Sequence, residues 1–444
     1  MATARQAALA TIKAVERGAF ADVELDRQLH RSQLSSDDRR LATELVYGSV
    51  RRRRTLDALI DQLGKKPAHQ QPVDLRLILQ LGFYQLRYLS QIPDHAVVDT
   101  SVELAKHCRL GKLSGVVNGM LRQYIRLSAA GDPLRLPDDE IARLGVLYSY
   151  PDWIVRVWQQ RLPEDEVAQL CDWFNRPPNL DLRVNRLKVS VDQAAAALQA
   201  AGVQTQRLPH LPWALRLSGK IGNIRQLPGY AEGWWMVQDA SAQLVAELLN
   251  PQPGETVIDA CAAPGGKTAH LAELMQDTGA LLACDRTASR LKKVQQNQQR
   301  LGLTCIQTQV CDSRNQPQLT ATADKVLLDV PCSGLGTLHR HADARWRQQP
   351  GSVRDLVQLQ KELLAQTATW VKPGGTLVYA TCTLHPDENE HQIQQFLADH
   401  PDWVIEPPEL DSPAAAYSDE SGWIKVWPHR DNMDGFFMVR LQVR

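Results

Sequence analysis

The sequence predicts a multidomain chain: an all-α N-terminal part, a small basic α/β segment, and an α/β half built on an open, Rossmann-like parallel sheet. Three observations predict it. Apolar residues recur at three- and four-residue steps through the first 130 positions, and a short strand, helix, strand pattern follows position 180. From position 255 onward, short apolar strands alternate with helical stretches, and each strand ends close to an Asp or a Cys. A length of 444 residues with 43% hydrophobic content supports cores in domains of this size.

The helical reading rests on "VDLRLILQLGFYQLRYL", where Leu75, Ile78, Leu79, Phe83 and Leu86 fall on one face, and on "TLDALIDQL", where Leu56, Leu59, Ile60 and Leu63 do the same. This domain is set at 1–140, closed by the Gly, Pro and acidic residues of "SAAGDPLRLPDDE". Residues 141–235 form the second part: linker helices to 175, the breaker "NRPPN", then "LDLRVN" as a strand, "SVDQAAAALQAAG" as a helix and "ALRLS" as a strand. Residues 236–444 form the third, with strands "TVIDAC", "ALLACD", "CIQTQVCD", "KVLLDVPC" and "TLVYATC" in a parallel sheet. A final segment, "GFFMVRLQV", is expected as an antiparallel edge strand.

The zero net charge conceals an asymmetry. Residues 1–130 hold 20 Lys and Arg against 13 Asp and Glu, and 180–230 hold 7 against 2, whereas 231–444 hold 18 against 26. A polyanion would therefore be gripped by the first half through phosphate contacts. The run Arg51 to Arg54 fits such a grip and equally fits a solvated helix face. Trp213, Tyr230, Trp234 and Trp235, mixed with basic residues, suit an RNA-gripping surface or a core. No apolar run of signal-peptide or membrane-spanning kind occurs, so a cytoplasmic protein without a membrane partner is expected. The eight cysteines include no C-x-x-C pair, so reduced thiols and no metal site are expected.

"ETVIDACAAPGGKTAHLAELM" reads as a strand, a small-residue loop and a helix start, and it matches neither G-x-x-x-x-G-K-[ST] nor G-x-G-x-x-G. Gly265 and Gly266 would let the backbone approach a ligand, and the helix start near Lys267 presents free N–H groups to an anionic end. Asp285, at the next strand end, suits the two hydroxyls of a ribose, and Asp312, at the third, an exocyclic amine. Adenosine with an amino-acid tail is the ligand implied, and that is S-adenosylmethionine. The cofactor set is Cys261, Ala262, Ala263, Pro264, Gly265, Gly266, Lys267, Asp285, Arg290, Asp312 and Asp329.

Two thiols remain, Cys332 in "DVPCSG" and Cys382 in "YATCTL". Together with "DACAAPGGKT", these stretches resemble the RNA cytosine-5 methyltransferases over the whole catalytic half. The helical, basic N-terminus resembles the NusB antitermination factor, so the chain is similar to the ribosomal RNA small subunit methyltransferase B family over nearly all its length. "DVPCSG" departs from the family pattern only in Val330, where Ala is usual. The resemblance implies methyl transfer to C5 of a cytosine in small-subunit (16S) ribosomal RNA, free or partly assembled, by a monomer. It implies Cys382 as the nucleophile toward C6, Cys332 as the thiol that assists release, and Asp329 as the acceptor for the cytosine N4/N3 edge. Lys267 reaches the same pocket in this reading. Uridine is a third possibility on the same chemistry, which the Asp329 acceptor suits less well. A non-catalytic RNA-binding or assembly factor that keeps the fold is the alternative of a different class.

Overall fold

The computed structural model describes residues 3–444, which form two compact units. The first runs to Arg176 and takes in Leu338–Gln348, and the second comprises Pro177–Thr337 and Gln349–Arg444. The first unit is all helical. This compact unit extends to Arg176 because the helices Glu140–Tyr148, Asp152–Gln159 and Glu164–Trp173 are tied to earlier ones. Thr55 donates to the Val146 carbonyl, and Arg54 holds both the Tyr150 carbonyl and Asp152.

The four consecutive arginines are neither a grip nor a solvated face. Arg51 is buried and donates to the His339 carbonyl, the Arg52 guanidinium lies over the Tyr88 ring at 4.8 Å, and Arg53 pairs with Glu16 at 3.1 Å. Each guanidinium is absorbed by the unit's own structure. The returning segment Leu338–Gln348 is anchored the same way. Arg345, fully buried, donates to the carbonyls of Arg51, Ser149, Phe174 and Leu338 and to Asn175 Oδ1 at 3.0 to 3.4 Å. Its guanidinium also stands 4.2 Å over the Tyr150 ring, and Trp346 Nε1 donates to the Val50 carbonyl.

In the second unit, β1 (Leu180–Val184), β2 (Gln204–Leu208), β3 (Leu211–Ser218) and β4 (Trp235–Val237) form an antiparallel sheet ordered β2-β3-β1-β4. Its aromatic residues serve the fold: Trp235 is fully buried, Tyr230 lies under the Arg300 guanidinium, and Trp213 lies under that of Arg186. The larger sheet contains β5 (Thr256–Asp259), β6 (Ala280–Asp285), β7 (Ile306–Val310), β8 (Ala323–Asp329), β9 (Val371–Thr381), β10 (Trp403–Ile405), β11 (Ile424–Val426) and β12 (Phe436–Val443). Their order is β10-β12-β9-β8-β5-β6-β7, parallel from β9 to β7, with β11 also pairing with β12.

Alternate residues of these strands face opposite layers. Val257, Leu327 and Val378 pack against the helices Ala240–Leu249 and Ala288–Leu301, while Ile258, Val326 and Leu377 pack against Pro350–Ala368. The expected edge strand is antiparallel but internal, flanked by β9 on one side and by β10 and β11 on the other. The reason lies in its composition: Phe436 to Leu441 are all buried, which an edge strand with one wet face does not allow.

Arg345 yields a prediction. Arg345→Met removes the donors from five buried acceptors while keeping much of the volume, so urea unfolding followed by tryptophan fluorescence should show a loss on the order of 3 kcal/mol. An unchanged midpoint would count against this role.

Candidate active site

The loop after β5 is fixed from beneath and from one side. Thr268 Oγ1 donates to Asp259 Oδ2 at 2.7 Å, and Ala262 N–H donates to the Cys284 carbonyl at 2.8 Å. Asp259 is fully buried, and burial raises its pKa to about 7. Arg183 of β1 donates to the Gly266 carbonyl at 2.8 Å and pairs with Glu273 at 2.7 Å, so the small sheet holds the start of helix Gly266–Leu274. Gly265 has a backbone φ of +100°, and a Cβ there would lie 3.0 Å from the Val294 backbone. Its lack of a side chain thus serves the packing of the loop on helix Ala288–Leu301. At Gly266 a Cβ would meet only side-chain atoms, at 3.7 Å or more.

Asp285 ends β6, nearly buried, accepts from Thr287 N–H at 2.8 Å and lies 3.3 Å from Arg290. Arg290 also donates to the Ala263 carbonyl at 2.8 Å, which links Asp285 to the loop Cys261 to Lys267. Asp312 follows β7 and is more exposed. Its carboxylate is held by Arg314 at 2.7 Å, which with a smaller opposing effect of burial draws its pKa down to about 2. Cys261 has its pKa raised, first by burial and then by the charges of Asp259, Asp329 and Asp285. The loop is therefore bordered by carboxyl groups, acceptors that complement the ammonium and hydroxyl groups of S-adenosylmethionine. The residues present fit that cofactor.

The two thiols meet. Because β8 and β9 are neighbours with Asp329 paired to Ala380, the residues just beyond them converge, and Cys332 Sγ lies 3.3 Å from Cys382 Sγ. The loop beyond Cys332 is knitted to the same place: Gly336 N–H donates to the Cys382 carbonyl and Gly435 N–H to the Gly336 carbonyl. A Cβ at Gly336 would overlap the Gly435 carbonyl oxygen at 2.0 Å, so this approach requires glycine. Lys267 Nζ lies 2.6 Å from Asp329 Oδ2 and 4.9 Å from the Phe436 ring centre. Burial opposes the Lys267 charge, yet Asp329 and Cys382 outweigh it and leave the pKa above the ordinary lysine value. Cys332 is held strongly as the thiol, first by its hydrogen bond to Cys382, then by burial, then by the charges of Cys382 and Glu388.

Cys332, Cys382, Asp329 and Lys267 are thus brought together, and Cys261 lies within the influence of Asp329. Asp312 is turned to Arg314. Three participants were missed by sequence reasoning. Asp259 was visible only as a strand end, and Arg183 only as one of several basic residues in "LDLRVN". Glu388, in "HPDENEH", had no signal to separate it from neighbouring acids, yet it is fully buried beside both cysteine loops.

Three family models match the chain: NusB family at residues 2–126, the ferredoxin-like domain of the RsmF/B-like methyltransferases at 150–223, and 16S rRNA methyltransferase RsmB/F at 246–442. A protein of Synechocystis sp. named "Probable ribosomal RNA small subunit methyltransferase B" is 52% identical over 100% of both chains. The ribosomal RNA small subunit methyltransferase B of Klebsiella pneumoniae is 37% identical over 93% of this chain and 91% of its own. A methyltransferase homolog protein from Pyrococcus horikoshii is 30% identical with a TM-score of 0.60, covering 69% of this chain and 100% of that one. S-adenosylmethionine is the methyl donor. With full-length identity of this order and models laid over all three parts, the chain belongs to the ribosomal RNA small subunit methyltransferase B family, whose members methylate 16S ribosomal RNA.

Proposed function

We propose that the chain methylates C5 of a cytosine in 16S ribosomal RNA through a temporary bond between Cys382 and C6 of the ring. The observation that carries this reading is the pair of sulfurs 3.3 Å apart, where the hydrogen bond to Cys382 and burial favour the thiol form of Cys332. Two thiols so close do not both ionise, and attack is assigned to the later of the two, Cys382. Lys267, near enough for Cys382 to raise its pKa, supports negative charge on that sulfur.

The Cys382 sulfur adds to C6, and the C5–C6 π pair moves toward C5. Asp329 accepts from the N4 amine and fixes the ring edge, while its 2.6 Å contact with Lys267 offsets its own charge. S-adenosylmethionine, when bound, would supply the electrophilic methyl for C5, its sulfur leaving with the bonding pair as a neutral thioether. Asp285 and Arg290, with the loop Cys261 to Lys267, would hold the donor, and Asp312 would accept from the adenine amine. Once Cys382 is bound to carbon, its charge and its hydrogen bond no longer hold the proton of Cys332. Cys332 loses that proton to solvent and takes the one on C5, and the C5–C6 double bond re-forms as the C6–S bond breaks. The target base must leave its stack, so an unpaired or partly assembled RNA region is the substrate. Grip on that RNA falls to exposed cations of the helical unit, among them Lys65, Lys66, Lys112, Arg122 and Arg126.

Cys382→Ala should abolish methyl transfer and any covalent complex with RNA, whereas Cys332→Ala should let the complex accumulate on a denaturing gel. A complex that survives loss of Cys382 but vanishes with loss of Cys332 would reverse the two roles. Base analysis of the methylated RNA should find 5-methylcytosine, and the absence of labelled methyl transfer altogether would favour an assembly factor. Asp285→Ala should weaken S-adenosylhomocysteine binding by more than about tenfold in calorimetry, since a nearly buried carboxylate acceptor is lost.

A further inference from the structure

We propose that Glu388 is a positioning residue for the release step, tying the loops beyond β8 and β9 together so that Cys332 stays within reach of the adduct on Cys382. The proposal rests on the cysteine chemistry set out above. Glu388 Oε1 accepts from Ser333 N–H at 2.8 Å and from Gln360 Nε2 at 2.9 Å. Its Oε2 accepts from Ser333 Oγ and from Thr383 Oγ1 at 3.3 Å, and the two hydroxyls are 2.7 Å apart. Its backbone carbonyl accepts from Tyr379 of β9 at 2.7 Å, and Gln360 also donates to the Pro331 carbonyl at 2.9 Å. One carboxylate therefore binds the residue after each catalytic cysteine.

A wholly buried carboxylate met by these neutral donors is an expensive way to join two loops. The charge has a use here: with the hydrogen bond to Cys382, burial and the charge of Cys382 before it, Glu388 contributes to holding the proton on Cys332. When Cys382 is bound to carbon, burial and Glu388 are the influences that remain. They keep Cys332 a strong enough base to take the proton from C5. All four side-chain contacts use Glu388 as acceptor, so an amide at this position must turn its NH2 toward donors on one side and release at least one loop.

The test is Glu388→Gln in the full chain, with S-adenosylhomocysteine affinity as the measure that the cofactor site is intact. Product release should slow by about tenfold or more, a rise in barrier of about 1.4 kcal/mol, and the covalent RNA complex should accumulate. In a Cys382→Ser background, alkylation of Cys332 by iodoacetamide should shift to lower pH when Glu388→Gln is added, and Glu388→Asp should restore the pH profile with only part of the rate. Wild-type release together with a superposed alkylation profile overturns the proposal. Should Glu388→Gln fail to bind the cofactor analogue, Ser333→Ala, which drops one hydroxyl donor, takes its place: slowed release supports the clamp, and wild-type release overturns it. Methyl transfer by Cys382→Ala would bring down the cysteine reading itself, and is told apart from a failure of Glu388 alone.

Discussion

The 3.3 Å between two sulfurs is the constraint to which the rest of the catalytic sheet answers. Neighbouring parallel strands lie about 4.8 Å apart, so side chains beyond the ends of two adjacent strands can meet only if the register brings those ends level. Here Asp329 pairs with Ala380, and the turns that follow bring Cys332 and Cys382 into contact. A one-residue slip between β8 and β9 would send one of the sulfurs to the opposite face of the sheet. The buried run of β12, the glycine contact between Gly336 and Gly435, and the Glu388 bonds all defend that register from different sides.

Charge is laid out to match. Asp259, Asp285 and Asp329 surround the loop Cys261 to Lys267, and each sits at the carboxyl end of a parallel strand. That arrangement favours a cationic small molecule and disfavours an RNA backbone. Lys267 is placed between Asp329 and Cys382, where, on the proposed reading, its positive charge would stabilise an attacking sulfur. The wider separation follows the same logic, with the basic excess in residues 1–130 and the acidic excess in 231–444. On the proposed reading, gripping a polyanion and holding a sulfonium would fall to different parts of one chain.

What the sequence made legible was local. Periodicity found the helices around Leu56 and Leu79, strand ends pointed to Asp285 and Asp329, and the settings of Cys332 and Cys382 were distinctive enough to be read without a structure. Long-range partnership was not legible. Arg51 to Arg54 look like surface charge because the groups that absorb them, His339, Tyr88, Glu16 and Asp152, are remote in sequence. Arg345 is separated from Arg51 by 294 positions. "GFFMVRLQV" was placed at an edge because nothing in sequence order shows that short β10 and β11 pair outside it. Glu388 is another case of this kind: a carboxylate in an acidic, polar stretch reads as solvated, and only the fold reveals the donors around it.

In the proposed mechanism the proton on Cys332 gives the site a built-in order of events. On that reading the bond to Cys382, burial and Glu388 favour the thiol at Cys332 in the free enzyme, which would keep this sulfur from attacking. Bonding of Cys382 to carbon removes the two contributions that depend on its charge and hydrogen bond. On the same reading the release step would become accessible only after the addition step has happened. A site with a single thiol, or with two thiols too far apart to share a hydrogen bond, would lack this dependence, because the proton affinity of its base would not respond to whether the nucleophile had already reacted.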